Sequence, residues 1–154
     1  NPHRNLDPDE SAAIIIRHVT DGVQIARKYR LHSSIIRFIR THHGTTKVKY
    51  FYKKYIESSN EQNIDGRFTY TGPKPLSKEE TILMLADGVE AASRSLKEYT
   101  PETISQLVDD IVKMKMDDGQ LDRADISLSE VTLTKEIFKR KLLNIYHSRV
   151  EYPK

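Results

Sequence analysis

The chain is 154 residues long, carries 25 Lys and Arg against 22 Asp and Glu, and contains no cysteine. That length fits one ordinary domain with a core of its own, and a net charge of +3 makes no demand for a polymeric nucleic-acid partner. The missing cysteine excludes disulfides, thiolate metal sites and cysteine nucleophiles within the chain.

Helical spacing dominates from the start. Asp9, after Pro8, is the expected N-cap of a first helix reaching about residue 29, with Ile14, Ile15, His18, Gly22 and Ile25 on one buried face. Ser33 or Ser34 starts a second helix that buries Ile35, Ile36 and Ile39 and stops at Gly44. A third, amphipathic and aromatic, covers 48–56. From 58 to 76 the composition turns to Asn, Gln, Asp, Gly and Pro, a long loop of the kind that tends to be functional or mobile. Ser77 and Glu80 form a capping box that opens a helix to about residue 97. Thr100 and Pro101 cap the next, to about residue 116, and Asp117-Asp118-Gly119 ends it. Ser127 or Ser129 caps the last, to about residue 146. There is no internal repeat, no signal peptide and no run of about 18 apolar residues to span a membrane. The chain opens on Asn1 in a Pro/Asp-rich stretch, as expected of a piece of a longer protein. The pattern predicts one all-α domain.

The chemistry concentrates in a few polar residues set where packing prefers hydrocarbon. Such groups need a compensating partner. His18 is flanked by Ile14, Ile15, Gly22 and Ile25, so it is expected to point inward, with Gly22 leaving space beside it. Neighbouring helical residues diverge by about 100°, so His42 and His43 share a cleft only near a helix end, which Gly44 supplies. Asp87 sits in the apolar run after Ile82-Leu83-Met84-Leu85-Ala86, equally readable as a metal ligand or as the partner of Arg94 or another cation. A metal held by nitrogen and oxygen is the most economical partner, and imidazole with carboxylate suits iron, manganese or zinc. His3, His32 and His147 are read as ordinary polar residues.

Other segments carry weaker signals. Residues 117–122 lack the oxygen pattern and terminal glutamate of a calcium loop. Gly72-Pro73-Lys74-Pro75 is a rigid turn rather than a phosphate-binding glycine loop, with Lys74 a candidate phosphate contact. Residues 47–55 mix Lys with Tyr and Phe. An ordinary amphipathic helix is the commoner meaning, and a wall that stacks a nucleobase and attracts phosphate is the functional one, with Tyr50 or Tyr52 beside the base. The basic runs at 27–30 and 47–54 suit an anionic substrate.

Several strings occur in a recognisable order: His18-Val19-Thr20-Asp21-Gly22-Val23, His42-His43-Gly44-Thr45-Thr46, Tyr50-Phe51-Tyr52, Tyr70-Thr71-Gly72-Pro73-Lys74-Pro75, Met84 through Ser95, and Tyr146 through Pro153. Together they resemble the cytoplasmic HD domain of bacterial seven-transmembrane HD phosphodiesterases. The resemblance implies a helical HD-domain phosphohydrolase fold and hydrolysis of cyclic di-AMP to pApA. It implies two divalent transition metals, iron or manganese, with His18, His42, His43 and Asp87 among the ligands. The family's initial histidine and His-Asp dyad have no counterpart here and are expected upstream of Asn1, which makes 1–154 an N-terminally truncated, partial HD domain. The fragment alone is then expected to be inactive and to hold at most one transition metal tightly. Lys74, Arg94 and Tyr50 are the expected substrate contacts, although Arg94 can equally pair with Glu90 one turn back. The implied partner is a cyclic dinucleotide, with the membrane reached only through the parent protein's transmembrane region; an oligomer is compatible with this. Two alternatives stay open: a catalytically silent cyclic-dinucleotide-binding or regulatory module, and an HD hydrolase of another phosphoester.

Overall fold

The computed structural model describes residues 6–59 and 64–147, so His3 and the string 148–153 lie outside the described residues, as does the side chain of His147. Among the described residues there are six α-helices and one 3-10 turn, with a single isolated bridge pair, Lys47 with Thr69, in place of any sheet. The all-α expectation therefore holds. The chain divides into two compact units, the first ending at Lys74 and the second beginning at Pro75.

The first unit contains α1 (Pro8–Lys28), α2 (Ser33–Thr41), α3 (Lys49–Ser58) and the 3-10 turn Asp65–Phe68. Helix α1 starts two residues earlier than expected: Asp7 is the N-cap, Pro8 takes the first helical position, and Asp9 and Glu10 complement the helix dipole in the first turn. Its buried face also differs from the isoleucine stripe. Ser11, Ala12, Val19 and Ala26 are buried, whereas Ile14, Ile25 and His18 are exposed. The seam of small residues is rotated by about 100° from the isoleucines, the angular step between helical neighbours. The physical reason is proximity: α2, α3 and the 3-10 turn all pack on α1, and small side chains let them come close. Gly22 belongs to the same device. A Cβ there would stand 3.0 Å from Ile39 Cγ2, so the space it leaves is filled by α2 and not by the ring of His18.

Helix α2 starts at Ser33, as expected, and is capped by His32, whose Nδ1 accepts from the backbone N–H of Ser34 at 3.3 Å. Only Thr41 is fully buried on it, with Ile36 and Ile39 half-buried and Ile35 exposed. The described residues 64–76 are less loop-like than their composition. Ile64, Phe68, Tyr70 and Pro75 are buried, and Phe68 packs under Tyr52 and Tyr55 of α3. Backbone bonds Val48 N–Phe68 O (2.7 Å) and Tyr70 N–Thr46 O (2.9 Å) pair this segment with the stretch after α2. A few well-placed apolar residues thus outweigh a polar majority.

The second unit contains α4 (Lys78–Ser93), α5 (Pro101–Asp117) and α6 (Leu128–His147). Leu85, Val89, Ile104, Val108, Val112, Val131 and Leu142 form its core. Ser77 caps α4, but the Glu80 carboxylate reaches back to the N–H of Leu76 at 2.9 Å, one residue before the cap. The reciprocal box appears instead at α5, through Thr100 and Thr103, and at α6, where Ser127 and Glu130 each satisfy the other's N–H. Helix α4 ends about a turn sooner than expected, with the hydroxyls of Ser93 and Ser95 donating to the carbonyls of Glu90 and Ala92. No helix is long and apolar enough to cross a membrane, among the described residues.

Candidate metal centre

The histidine pair stands where α2 runs out. Residue 42 is the C-cap of α2, and Gly44 adopts φ 55°, the left-handed conformation that turns the chain at low cost for glycine. A terminating helix leaves carbonyls without intrahelical partners. The Ile39 carbonyl faces His42 Nδ1 at 2.8 Å, while Thr46 holds the turn from the far side, its N–H (3.1 Å) and hydroxyl (2.7 Å) both donating to the His43 carbonyl.

On α1, His18 Nδ1 bonds the carbonyl of Ile15 one turn back. Each Nδ1 of this pair thus faces a carbonyl and carries the proton. That leaves Nε2 of each neutral ring as a bare acceptor. The two Nε2 atoms lie 3.2 Å apart. Two lone pairs so placed repel unless a proton or a metal cation stands between them. With bonds of about 2.1 Å to a first-row ion, 3.2 Å is the separation of two ligands sharing one metal. His43 completes the group: one ring nitrogen from each of His18, His42 and His43 lies within 4.8 Å of the others. Nitrogen-only donors in this tautomer fit a transition metal, and the carbonyl contacts are the outer partners that orient such ligands. His18 is exposed and the other two are half-buried, so the ring edges are open to a ligand. The inward-pointing expectation for His18 is therefore corrected: it sits beside the buried seam of α1 and meets His42 at an open edge.

The remaining expected residues fall elsewhere. Asp87 lies on α4 in the second unit, half-buried. Arg94, at the end of α4, forks onto Glu90 through Nε–Oε1 (3.0 Å) and Nη2–Oε2 (2.9 Å). Lys74 follows the cis Gly72–Pro73 bond at the end of the first unit and is half-buried. Tyr50 is 69% exposed on α3, whereas Tyr52 packs on Phe68. Lys47 is structural: its Nζ lies 2.9 Å from Asp65 Oδ1 and 4.1 Å above the Tyr52 ring. That contact, with the Tyr52 hydroxyl, holds the Asp65 carboxyl below its ordinary range, and Asp65 in turn raises the Tyr52 phenol.

One neighbour carried no expectation of its own. The Tyr70 ring stacks on His43 with centroids 4.3 Å apart and planes 25° apart, and meets His18 edge-on at 6.0 Å. No spacing rule links residues 43 and 70; the pairing of 46–48 with 68–70 brings them together.

Residues 1–92 match the family model of the HD domain. Over 153 residues the chain is 41% identical to the cyclic-di-AMP phosphodiesterase PgpH of Bacillus subtilis (99% of this chain, 21% of that protein). It is 39% identical to the protein of the same name from Listeria monocytogenes, again covering 99% and 21%. The chain thus spans about a fifth of the length of these curated relatives. Among solved structures, the HD domain of L. monocytogenes PgpH in complex with cyclic-di-AMP superposes with a TM-score of 0.91 at 38% identity, covering 99% of this chain and 71% of that one.

Proposed function

The chain belongs to the HD-domain family, and from that premise we propose that it is the metal-binding part of a phosphodiesterase that hydrolyses cyclic di-AMP to pApA. One observation carries the reading: two imidazoles with carbonyl-tethered Nδ1 atoms face each other through Nε2 at 3.2 Å, with a third beside them. The relatives supply the substrate class, since the curated ones are named for cyclic di-AMP and the solved one holds it.

In this reading His18, His42 and His43 hold a divalent transition metal, iron or manganese, and Asp87 joins them as a carboxylate ligand by family resemblance. The intact site carries two ions. What such ions supply is a lowered pKa for water and charge neutralisation on the phosphoryl oxygens during in-line displacement. The reaction adds one water across one P–O3′ bond, leaving a 5′-phosphate and a 3′-hydroxyl. The residues of the chain orient rather than react: the carbonyls of Ile15 and Ile39 keep the imidazole nitrogens aimed. Lys74 and the exposed Tyr50 are the candidate contacts for phosphate and adenine. Arg94 is secondary, because Glu90 already engages its guanidinium. The parent is proposed to be a bacterial membrane protein with this domain on the cytoplasmic side.

The test uses the intact protein with Mn²⁺ or Fe²⁺ and follows cyclic di-AMP and pApA by chromatography. Turnover in the wild type that is lost in both His42→Ala and Asp87→Ala is the expected result. No cleavage by the metal-loaded protein, or a His42→Ala variant as active as wild type, overturns the reading. Cyclic di-GMP as competitor separates the substrate class from other cyclic dinucleotides.

A further inference from the structure

We infer that Tyr70 is a positioning residue for the imidazole cluster, its ring face setting the plane of His43 so that the His43 nitrogen converges with those of His18 and His42. This rests on the metal reading of that cluster. The stack is close, with centroids 4.3 Å apart and planes 25° apart. The same ring stands T-shaped to His18, with centroids 6.0 Å apart and planes at 82°, so one side chain meets imidazoles from two separate elements. Tyr70 is itself only 8% exposed, which keeps the ring from swinging away with solvent.

The backbone explains why this ring can act as a template. Tyr70 N donates to Thr46 O at 2.9 Å, Val48 N donates to Phe68 O at 2.7 Å, and Lys47 bridges Thr69. Residue 70 is thus registered against the chain three residues after His43. Thr46 in turn bonds the His43 carbonyl through both N–H and hydroxyl. Backbone and ring of His43 are held from the same short ladder. Gly72 closes it: its φ is 81°, and a Cβ would lie 3.1 Å from Thr45 Cγ2. Backbone carbonyls orient His18 and His42, and for His43 an aromatic face adds that role. A metal ligand whose ring plane is set before binding loses less freedom on coordination.

The experiment titrates Co²⁺ into the full chain and follows its absorption, comparing wild type, Tyr70→Phe and Tyr70→Leu. Tyr70→Phe keeps the face and is expected to bind as wild type. Tyr70→Leu is expected to bind about tenfold or more weakly, the scale on which outer partners of metal ligands act. A second readout does not depend on the variants folding: in the metal-free wild type, the His43 ring protons should show upfield ring-current shifts and cross-relaxation with Tyr70 in NMR spectra. Absence of those signals overturns the inference. So does Tyr70→Leu binding Co²⁺ as tightly as wild type, or Tyr70→Phe weakened as much as Tyr70→Leu, which would move the effect to the hydroxyl. A wild-type chain that binds no Co²⁺ at all removes the metal reading beneath it; unchanged Tyr70→Leu beside a wild type that binds removes this inference alone.

Discussion

At the scale of single residues, the imidazole cluster works through what lies behind each ring. His42 stands at the end of α2, where the Ile39 carbonyl lies within reach of its Nδ1. His42→Ala is therefore expected to cost metal affinity more than the roughly 10–100-fold typical of outer partners, because it removes a ligand outright. Calorimetric Mn²⁺ titration measures this, and an unchanged isotherm would count against the assignment. The same titration of the wild-type chain is expected to show no more than one tight site per chain. The grouping of His42 with His43 was legible from their adjacency and from Gly44. Their grouping with His18 around a metal was legible from polar residues set where packing prefers hydrocarbon, and the family resemblance gave it an order. Tyr70 was legible only as the first residue of a family-like string, and its contact with His43 was not, since that depends on a ladder between segments 20 or more residues apart.

At the scale of elements, the approach of α1 and α2 decides whether His18 and His42 meet. Two effects compete at Gly22. Alanine there gains about 1 kcal/mol of helix propensity, but its Cβ would stand 3.0 Å from Ile39 Cγ2. That methyl is a β-branch with little rotamer freedom, not the yielding tip of a long chain. Overpacking of this kind costs about 1–3 kcal/mol, so repulsion wins. Gly22→Ala is expected to lower the melting temperature and to weaken Mn²⁺ binding by parting the helices. Adding Ile39→Leu, which removes the Cβ branch, should restore much of both. A Gly22→Ala variant more stable than wild type would show that α2 can shift without cost. Hydrophobicity alone misassigned this face, because it ranks isoleucine above alanine and serine as a buried residue. Close helix approach selects the reverse.

At the scale of the whole molecule, charge is unevenly shared. The first 74 residues carry 13 Lys and Arg against 7 Asp and Glu, and the remaining 80 carry 12 against 15. The imidazole cluster thus lies in the basic portion, which favours an anionic ligand there. The acidic portion is tied by specific pairs. Asp109 lies 2.7 Å from Lys135 and 3.0 Å from Lys139, and the Lys135 contact, then that of Lys139, keeps its carboxyl below the usual range. Lys78 contacts Glu130 and, with the N–H and hydroxyl of Ser127, pulls the Glu130 carboxyl down to about 2 from an ordinary 4.5. A carboxyl depressed in the folded state contributes stability fully above its unfolded value and loses it as pH falls from about 4.5 towards 2. Glu130→Gln is expected to melt lower than wild type at pH 7 and to show a shallower fall in melting temperature on acidification. Parallel curves for the two proteins would deny the pair its role.

The order of the helices, their stops at Gly44 and Gly119, the caps at Ser77, Thr100 and Ser127, and the absence of thiolate chemistry follow from the sequence by itself. Each depends on neighbours within a few residues, where backbone conformation and local hydrogen bonds dominate. Tertiary structure alone decided which face of α1 is buried, that segment 58–76 supplies Phe68 and Tyr70 to packed positions, and that Nε2 of His18 and His42 stand 3.2 Å apart. Those outcomes depend on the distance between elements far apart in the chain. That distance is set by the size of the side chains that meet there, and no periodicity along a single helix encodes it.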